Sequence, residues 1–351
     1  VRVPPVSRRK PRPSLRLFAE TPAGSTVGAN QLSKVAWTVL FDDLELTAAE
    51  IQQLARQARP LVQAGGKWVE VDKLDLEKAA ATFPKIRLVS VPNRGVQAPE
   101  WDFNGKWTTC SPETVGGFSA VGYFFGRQLH QTLNVPIGLI NNAWGGSACE
   151  AWIRRDVLAA DEQYKPLLDR WVGQEAQFDA LSKKSDLSED EKKQLNQLRG
   201  AMGGNSRPGN IYNGVLKSHL GYGIRGAIWY QGESNASRAY QYRDLFPLMI
   251  QNWRDEWGQG DFPFYWVQLA DFMGEVKEPA ESDWAELREA QTMAMDKLPN
   301  SGQAVIIDIG EGKDIHPKNK VDVGRRLARW ALAKQYNIPI EYQSPRYDSM
   351  A

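Results

Sequence analysis

The 351-residue sequence predicts an α/β fold, a doubly wound parallel sheet with helices on both faces, preceded by a small α+β segment. Two observations carry that prediction. Five short, nearly continuous apolar runs recur after residue 75: IRLVSV (86–91), VPIGLINNA (135–143), IRGAIWYQ (224–231), FPFYWVQLA (262–270) and AVIIDIG (304–310). Strands covered on both faces read this way, whereas strands with one wet face alternate. Helical stretches separate the runs, at 119–133, 157–200 and 240–257. The composition, 42% hydrophobic and 24% charged with a net charge of +1, is that of a globular domain. No run approaches the roughly 18 apolar residues of a membrane span, which excludes a membrane partner.

Taken in order, residues 1–16 carry six basic residues, four prolines and no acid, and no hydrophobic leader precedes them. Mutual repulsion and missing backbone donors make this a flexible basic arm. It also suits nucleic acid, although the neutral overall charge argues against that partner. Residues 17–74 form a small α+β segment: a strand at 35–43, a helix at 46–58 and two short strands around Gly65-Gly66. Thr47 followed by Glu50 marks the helix start. Residues 75–351 form the main domain. Ser119 reads as the N-cap of the 119–133 helix. The charged 157–200 insertion reads as a helical pair, with Ser188 and Glu191 forming the capping box of its second helix. A last helix from 321 places Val323, Leu327, Trp330 and Ala331 on one face. Cys110 and Cys149 lack any metal-ligand spacing, so they read as two buried thiols and no metal site is expected. Most of the thirteen tryptophans belong to the core.

Chemistry in such sheets sits at the carboxyl ends of strands. Three strand ends are loaded here. In NNAWGGSACEAW (141–152), Gly145-Gly146 lets the backbone turn sharply and present N–H groups, the geometry of an oxyanion hole, although a Gly pair also serves as a plain turn. In WYQGESN (229–235), Gln231, Glu233, Ser234 and Asn235 crowd behind an apolar strand, where polar groups must serve one another or a ligand. In DIGEGKDIHP (308–317), His316 follows a strand end with Asp314 two residues upstream, which suits a general base.

Together these stretches resemble the sialate O-acetylesterase family, carbohydrate esterases of the SGNH hydrolase superfamily. The resemblance spans about 75–350 and is carried by KIRLVSVPN, GKWTTCSPETVGGFSAVGYFFGRQLH, VPIGLINNAWGGSACEAW, RPGNIYNGV, GAIWYQGESN, FPFYWVQLA and DIHPKNKVDVGRRLARWAL. It implies hydrolysis of O-acetyl esters on sialic acid or related sugars by a Ser–His mechanism, with no metal or organic cofactor. It implies that the Gly146 N–H and the Asn235 side chain hold the oxyanion, that Gln231 and Glu233 shape the pocket, that His316 is the base and that Asp314 orients it. The superfamily spaces that Asp three residues before the His; here the spacing is two.

The family's GQSN nucleophile block has no counterpart in this chain. Ser119 reads as a helix cap, and Ser147 and Ser234 lie in blocks where the family places no nucleophile. Residues 9–72 instead resemble a domain found beside bacterial Swi/Snf helicases. No phosphate-binding GxxxxGK[ST] motif is present. The chain therefore reads as a chimera joined near 72–76, with its esterase portion stopping short at the C-terminus. The family is typically exported, and no signal peptide opens this chain. The expected function is a carbohydrate esterase impaired by loss of its nucleophile. The alternatives are an inactive acetylated-sugar-binding module and a nucleic-acid-associated fusion protein. Loss of the family's first, central strand is expected to expose neighbouring strand edges unless 35–41 or 67–71 fills the gap.

Overall fold

The computed structural model describes residues 13–19, 35–41, 44–55, 61–64, 67–70, 82–274, 277–278 and 280–345. Residues 1–12 of the arm, the Gly65-Gly66 turn, the junction near 72–76 and the last six residues lie outside them.

The N-terminal segment begins with β1 (Pro13–Ala19), β2 (Val35–Phe41) and β3 (Leu44–Thr47), an antiparallel sheet in that order. Pro13–Arg16, assigned by composition to the arm, belong to β1; pairing with Thr38–Phe41 satisfies their backbone. α1 (Ala48–Ala55) starts directly after Thr47 and buries Ile51 completely. β4 (Leu61–Ala64) and β5 (Lys67–Glu70) pair antiparallel, as the Gly-Gly spacing predicts.

The main domain builds a mixed α/β architecture. β6 (Phe83–Ser90) pairs antiparallel with β7 (Thr108–Cys110). Next comes α2 (Ala120–Leu133), capped by Ser119, whose Oγ accepts the Gly122 N–H at 3.1 Å. β8 (Ile137–Asn141) then pairs parallel with β6. The insertion is the expected helical pair, α3 (Lys165–Ser182) and α4 (Glu189–Met202). Its capping box is closed by Glu191 N–H to Ser188 Oγ at 3.3 Å and Ser188 N–H to Glu191 Oε2 at 2.9 Å. β9 (Ala227–Trp229), α5 (Ala239–Trp257), β10 (Phe264–Val267), α6 (Asp283–Lys297), β11 (Ser301–Ala304) and α7 (Lys320–Gln335) complete the domain. β9, β10 and β11 form a parallel sheet with β10 in the middle.

Helices cover both faces, as expected. β10 divides cleanly between them: Tyr265 and Val267 pack with Val323, Leu327 and Trp330 of α7, while Phe264 and Trp266 pack with Phe246 and Trp253 of α5 and Leu287 of α6. α2 covers Ile86 and Leu88 of β6 with Tyr123 and Phe124. α2 and α7 pack on each other through Gly324, where an added Cβ would lie 2.7 Å from the Phe124 Cβ. Only glycine permits that approach.

The doubly wound layout holds, and among the described residues its strands fall into two three-stranded pieces, β7-β6-β8 and β11-β10-β9. Of the two segments considered for the place of the missing first strand, 35–41 pairs as β2 with β1 and β3, and 67–70 pairs as β5 with β4. One boundary needs correction. The strand expected at 304–310 is β11 at 301–304; Ile307–Ile309 form a short 3-10 turn with Ile307 exposed. The two cysteines are free and buried, as their spacing predicts.

Candidate active site at the strand ends

The loops after β8 and β9 meet in a buried polar network. Gly146, at φ +69°, turns the chain behind β8, a left-handed conformation that glycine adopts without strain. Its carbonyl accepts the Ser234 hydroxyl at 2.8 Å, and the Gly145 carbonyl accepts Asn205 Nδ2 at 2.8 Å. Gln231 Nε2 donates to the Ser147 carbonyl at 2.9 Å and to Asn235 Oδ1 at 2.7 Å. The Cys149 N–H donates to the same Asn235 oxygen at 2.9 Å. Tyr242 from α5 donates its hydroxyl to Gln231 Oε1 at 3.0 Å. Gly146, Gln231 and Asn235 are thus brought into one cluster.

Beneath them lies a carboxylate that the sequence reading did not single out. Glu150 is 1% exposed, accepts Asn235 Nδ2 at 2.9 Å and pairs with Arg238 at 2.7 Å. A buried carboxylate is tolerable when its lone pairs are met this way. The one available signal was a single acid inside the small and apolar stretch SACEAW.

Glu233 caps the β9 end on the side of α7. Burial raises its carboxyl pKa, offset in part by backbone amides and by the neighbouring His316 and Lys320. Lys320, at the start of α7, has its own pKa lowered by burial and lies 4.9 Å over the Tyr230 ring. His316 therefore stands near Glu233, but its side chain is 83% exposed. Asp314 Oδ1 accepts the His316 backbone N–H at 2.9 Å and lies 3.7 Å from His316 Nδ1. That second distance is ion-pair range and too long for a hydrogen bond.

The serines are placed as follows. Ser119 caps α2; Ser147 is buried and its Oγ accepts the Trp152 indole N–H at 2.9 Å; Ser234 is exposed and bonded to Gly146. A further Ser–His neighbour pair, Ser218 and His219, is committed elsewhere. Ser218 Oγ donates to the Val215 carbonyl at 2.7 Å, and burial lowers the His219 pKa to about 4. Among the described residues no cluster of His, Cys, Asp and Glu is arranged to hold a metal, and no helix is long and apolar enough to cross a membrane.

Comparison with known proteins bears out the resemblances. Residues 198–333 match the family described as carbohydrate esterase, sialic acid-specific acetylesterase. Residues 1–90 match a family described as SNF2 helicase protein, a match that runs through β6. The chain is 32% identical to the sialate O-acetylesterase of Mus musculus over 249 residues, 65% of this chain and 44% of that protein. It is 27% identical to that of Rattus norvegicus over 303 residues, 76% of this chain and 53% of that one. The chain thus spans about half the length of the curated relatives it matches. The crystal structure of a carbohydrate acetylesterase from Xanthomonas citri aligns at a TM-score of 0.63 and 29% identity, covering 97% of this chain and 73% of that one.

Proposed function

We propose, from a chain whose residues 198–333 carry the sialic acid-specific acetylesterase family segment, that this protein holds an acetylated sugar of the sialic acid type. Its strand ends retain the ester-hydrolysing machinery apart from the nucleophile. The reading is carried by the network that draws Gly146, Gln231 and Asn235 together, with Glu233, two residues from Gln231 and Asn235, within electrostatic reach of His316.

In this mechanism the acetyl carbonyl lies against the β8 and β9 loops. Attack on it moves charge to the carbonyl oxygen, which the Gly146 N–H stabilises; Asn235, expected from sequence to share that role, is buried with its Nδ2 given to Glu150 and instead fixes the two loops. His316 removes the proton of the attacking hydroxyl and returns it to the departing sugar oxygen. Asp314 holds the histidine loop through the backbone bond already described and faces Nδ1 from 3.7 Å. Gln231 keeps Asn235 in register, and Glu233 lines the pocket beside His316. No metal is needed for these steps. With no serine in the nucleophile position, water is the attacking group. Serine hydrolases stripped of a triad member retain only about 10³–10⁴-fold over water. Turnover is therefore low.

The test is hydrolysis of p-nitrophenyl acetate by the monodisperse chain and by His316→Ala, together with a serine-directed fluorophosphonate label. Slow hydrolysis that is lost in His316→Ala, without labelling, is expected. A labelled serine and rapid turnover would overturn the impairment. No His316-dependent turnover, with an acetylated sugar still bound, would favour the second reading, a binding module. That reading draws on one observation: Ser119, Ser147 and Ser234 are each engaged in a hydrogen bond of structural kind.

A further inference from the structure

Residues 145–149, behind β8, divide their backbone hydrogen bonds unevenly. The carbonyls of Gly145, Gly146 and Ser147 each accept a side-chain donor, from Asn205 at 2.8 Å, Ser234 at 2.8 Å and Gln231 at 2.9 Å. The last two N–H groups are spent as well. Ala148 donates to the Asn205 carbonyl at 3.1 Å, and Cys149 to Asn235 Oδ1 at 2.9 Å. Between them, the N–H groups of Gly146 and Ser147 donate to nothing among the described residues. Ser147 is 5% exposed, and a backbone donor left over on so buried a residue is uncommon.

Peptide planarity turns this pattern into geometry. In a trans peptide unit the C=O and the N–H point in opposite directions. By holding the Gly145 carbonyl, Asn205 therefore fixes the direction of the Gly146 N–H on the other side of that unit. Ser234, by holding the Gly146 carbonyl, fixes the Ser147 N–H in the same way. Gly146 joins the two units at φ +69°, and a left-handed residue is what lets successive N–H groups face one concavity. Space remains over the turn. Among the described residues, a Cβ built on Gly145 would meet nothing within 4 Å, and one on Gly146 only Asn205 Nδ2 at 3.7 Å.

We propose that the Ser147 backbone N–H is the second donor to the oxyanion, acting beside the Gly146 N–H, and that Ser234 and Asn205 are the positioning residues that aim the pair. This rests on the ester-hydrolysing reading above and names the group that takes the role expected of Asn235. The Asn235 amide is committed: it is 1% exposed and gives its Nδ2 to Glu150. The Ser147 hydroxyl has no part in the step, since its Oγ accepts the Trp152 indole N–H. As charge grows on the carbonyl oxygen, two N–H groups already fixed in direction meet it without reorganising. The same charge gives the unspent Ser147 donor its acceptor. Asn205 follows the helical insertion directly, so a residue at the exit of that insertion helps to set the chemistry of the strand end.

The test is a magnetic-resonance titration of the full chain, labelled with heavy nitrogen in glycine, serine and asparagine. The probe is methylphosphonate, whose methyl group and anionic tetrahedral oxygens copy the addition intermediate of an acetyl ester. The Gly146 and Ser147 amide signals are expected to shift along one saturation curve while the Asn235 side-chain amide stays still. Ser234→Ala should weaken the probe about tenfold and lower kcat for p-nitrophenyl acetate by a similar factor with KM unchanged. Ser234→Thr, which keeps the hydroxyl, should restore both. Asn205→Ala makes the same comparison from the other peptide unit if Ser234→Ala loses its fold. A Ser147 signal that stays still while Gly146 and the Asn235 side chain move would overturn the proposal. So would two unmoved backbone amides, or a folded Ser234→Ala that binds and turns over like the original chain. Coupled Gly146 and Ser147 shifts without any His316-dependent hydrolysis would uphold the donor pair and overturn the hydrolytic reading alone.

Discussion

Asn235 is 1% exposed and engages both ends of its amide, with Cys149 and Gln231 on the oxygen and Glu150 on the nitrogen. His316, at the neighbouring strand end, has a side chain that is 83% exposed and meets Asp314 at 3.7 Å. On the proposed mechanism the two regions answer different demands. Loops that present a charge-stabilising N–H work by being fixed in advance, and buried hydrogen bonds such as those of Asn235 fix them. A base must reach both water and substrate, and in unliganded sites its contacts are commonly long. The difference separates what this fold supplies from what a ligand must complete.

The contrast can be broken most severely from below. Glu150→Ala leaves the Arg238 guanidinium and the Asn235 amide without their carboxylate. Removing one member of a buried pair typically costs about 3–5 kcal/mol, and the lower end is expected because Arg238 is partly exposed. A urea midpoint shift without a change in slope would show it. Asn235→Ala deprives the Cys149 N–H and the Gln231 amide of their acceptor, and about 2 kcal/mol of lost stability is expected by the same measurement.

Glu233 stands between the two regions and sharpens the comparison through pH. Its folded pKa lies above the ordinary 4.5, so the folded state holds the proton more tightly than the unfolded chain. Its contribution to stability is full below 4.5 and declines as pH rises through the folded value. Glu233→Gln should remove that decline, making the variant relatively more stable at neutral pH than at pH 4 in paired denaturation curves. His316→Ala should change stability least, within about 0.5 kcal/mol, because the side chain it removes is largely solvated. Loss of ester hydrolysis without loss of stability would separate function from folding at that position.

Much of this was legible in the residues. Apolar runs gave β6, β8, β9 and β10, and Ser119 and the Ser188–Glu191 box fixed two helix starts. α6 escaped because its inward face is Trp284, Leu287, Ala290, Gln291 and Ala294. Alanine and glutamine there blur the apolar stripe, although buried Gln291 holds the Leu269 N–H at 2.9 Å. The run 304–310 misled because its isoleucines continue past the ladder into a turn. Glu150 and Arg238 were invisible as a pair, since only the fold joins residues that far apart in the chain.

One contact described above bears on how the chain comes together. Gly324 of α7 seats against Phe124 of α2, and most of the domain's sequence lies between them. Contacts of such separation form late and slow folding. During synthesis the β7-β6-β8 piece therefore emerges with the α2 face bare until α7, the last helix of the domain among the described residues, follows. Once seated, that one glycine ties the first-made half of the domain to the last, and the two are bound to melt together.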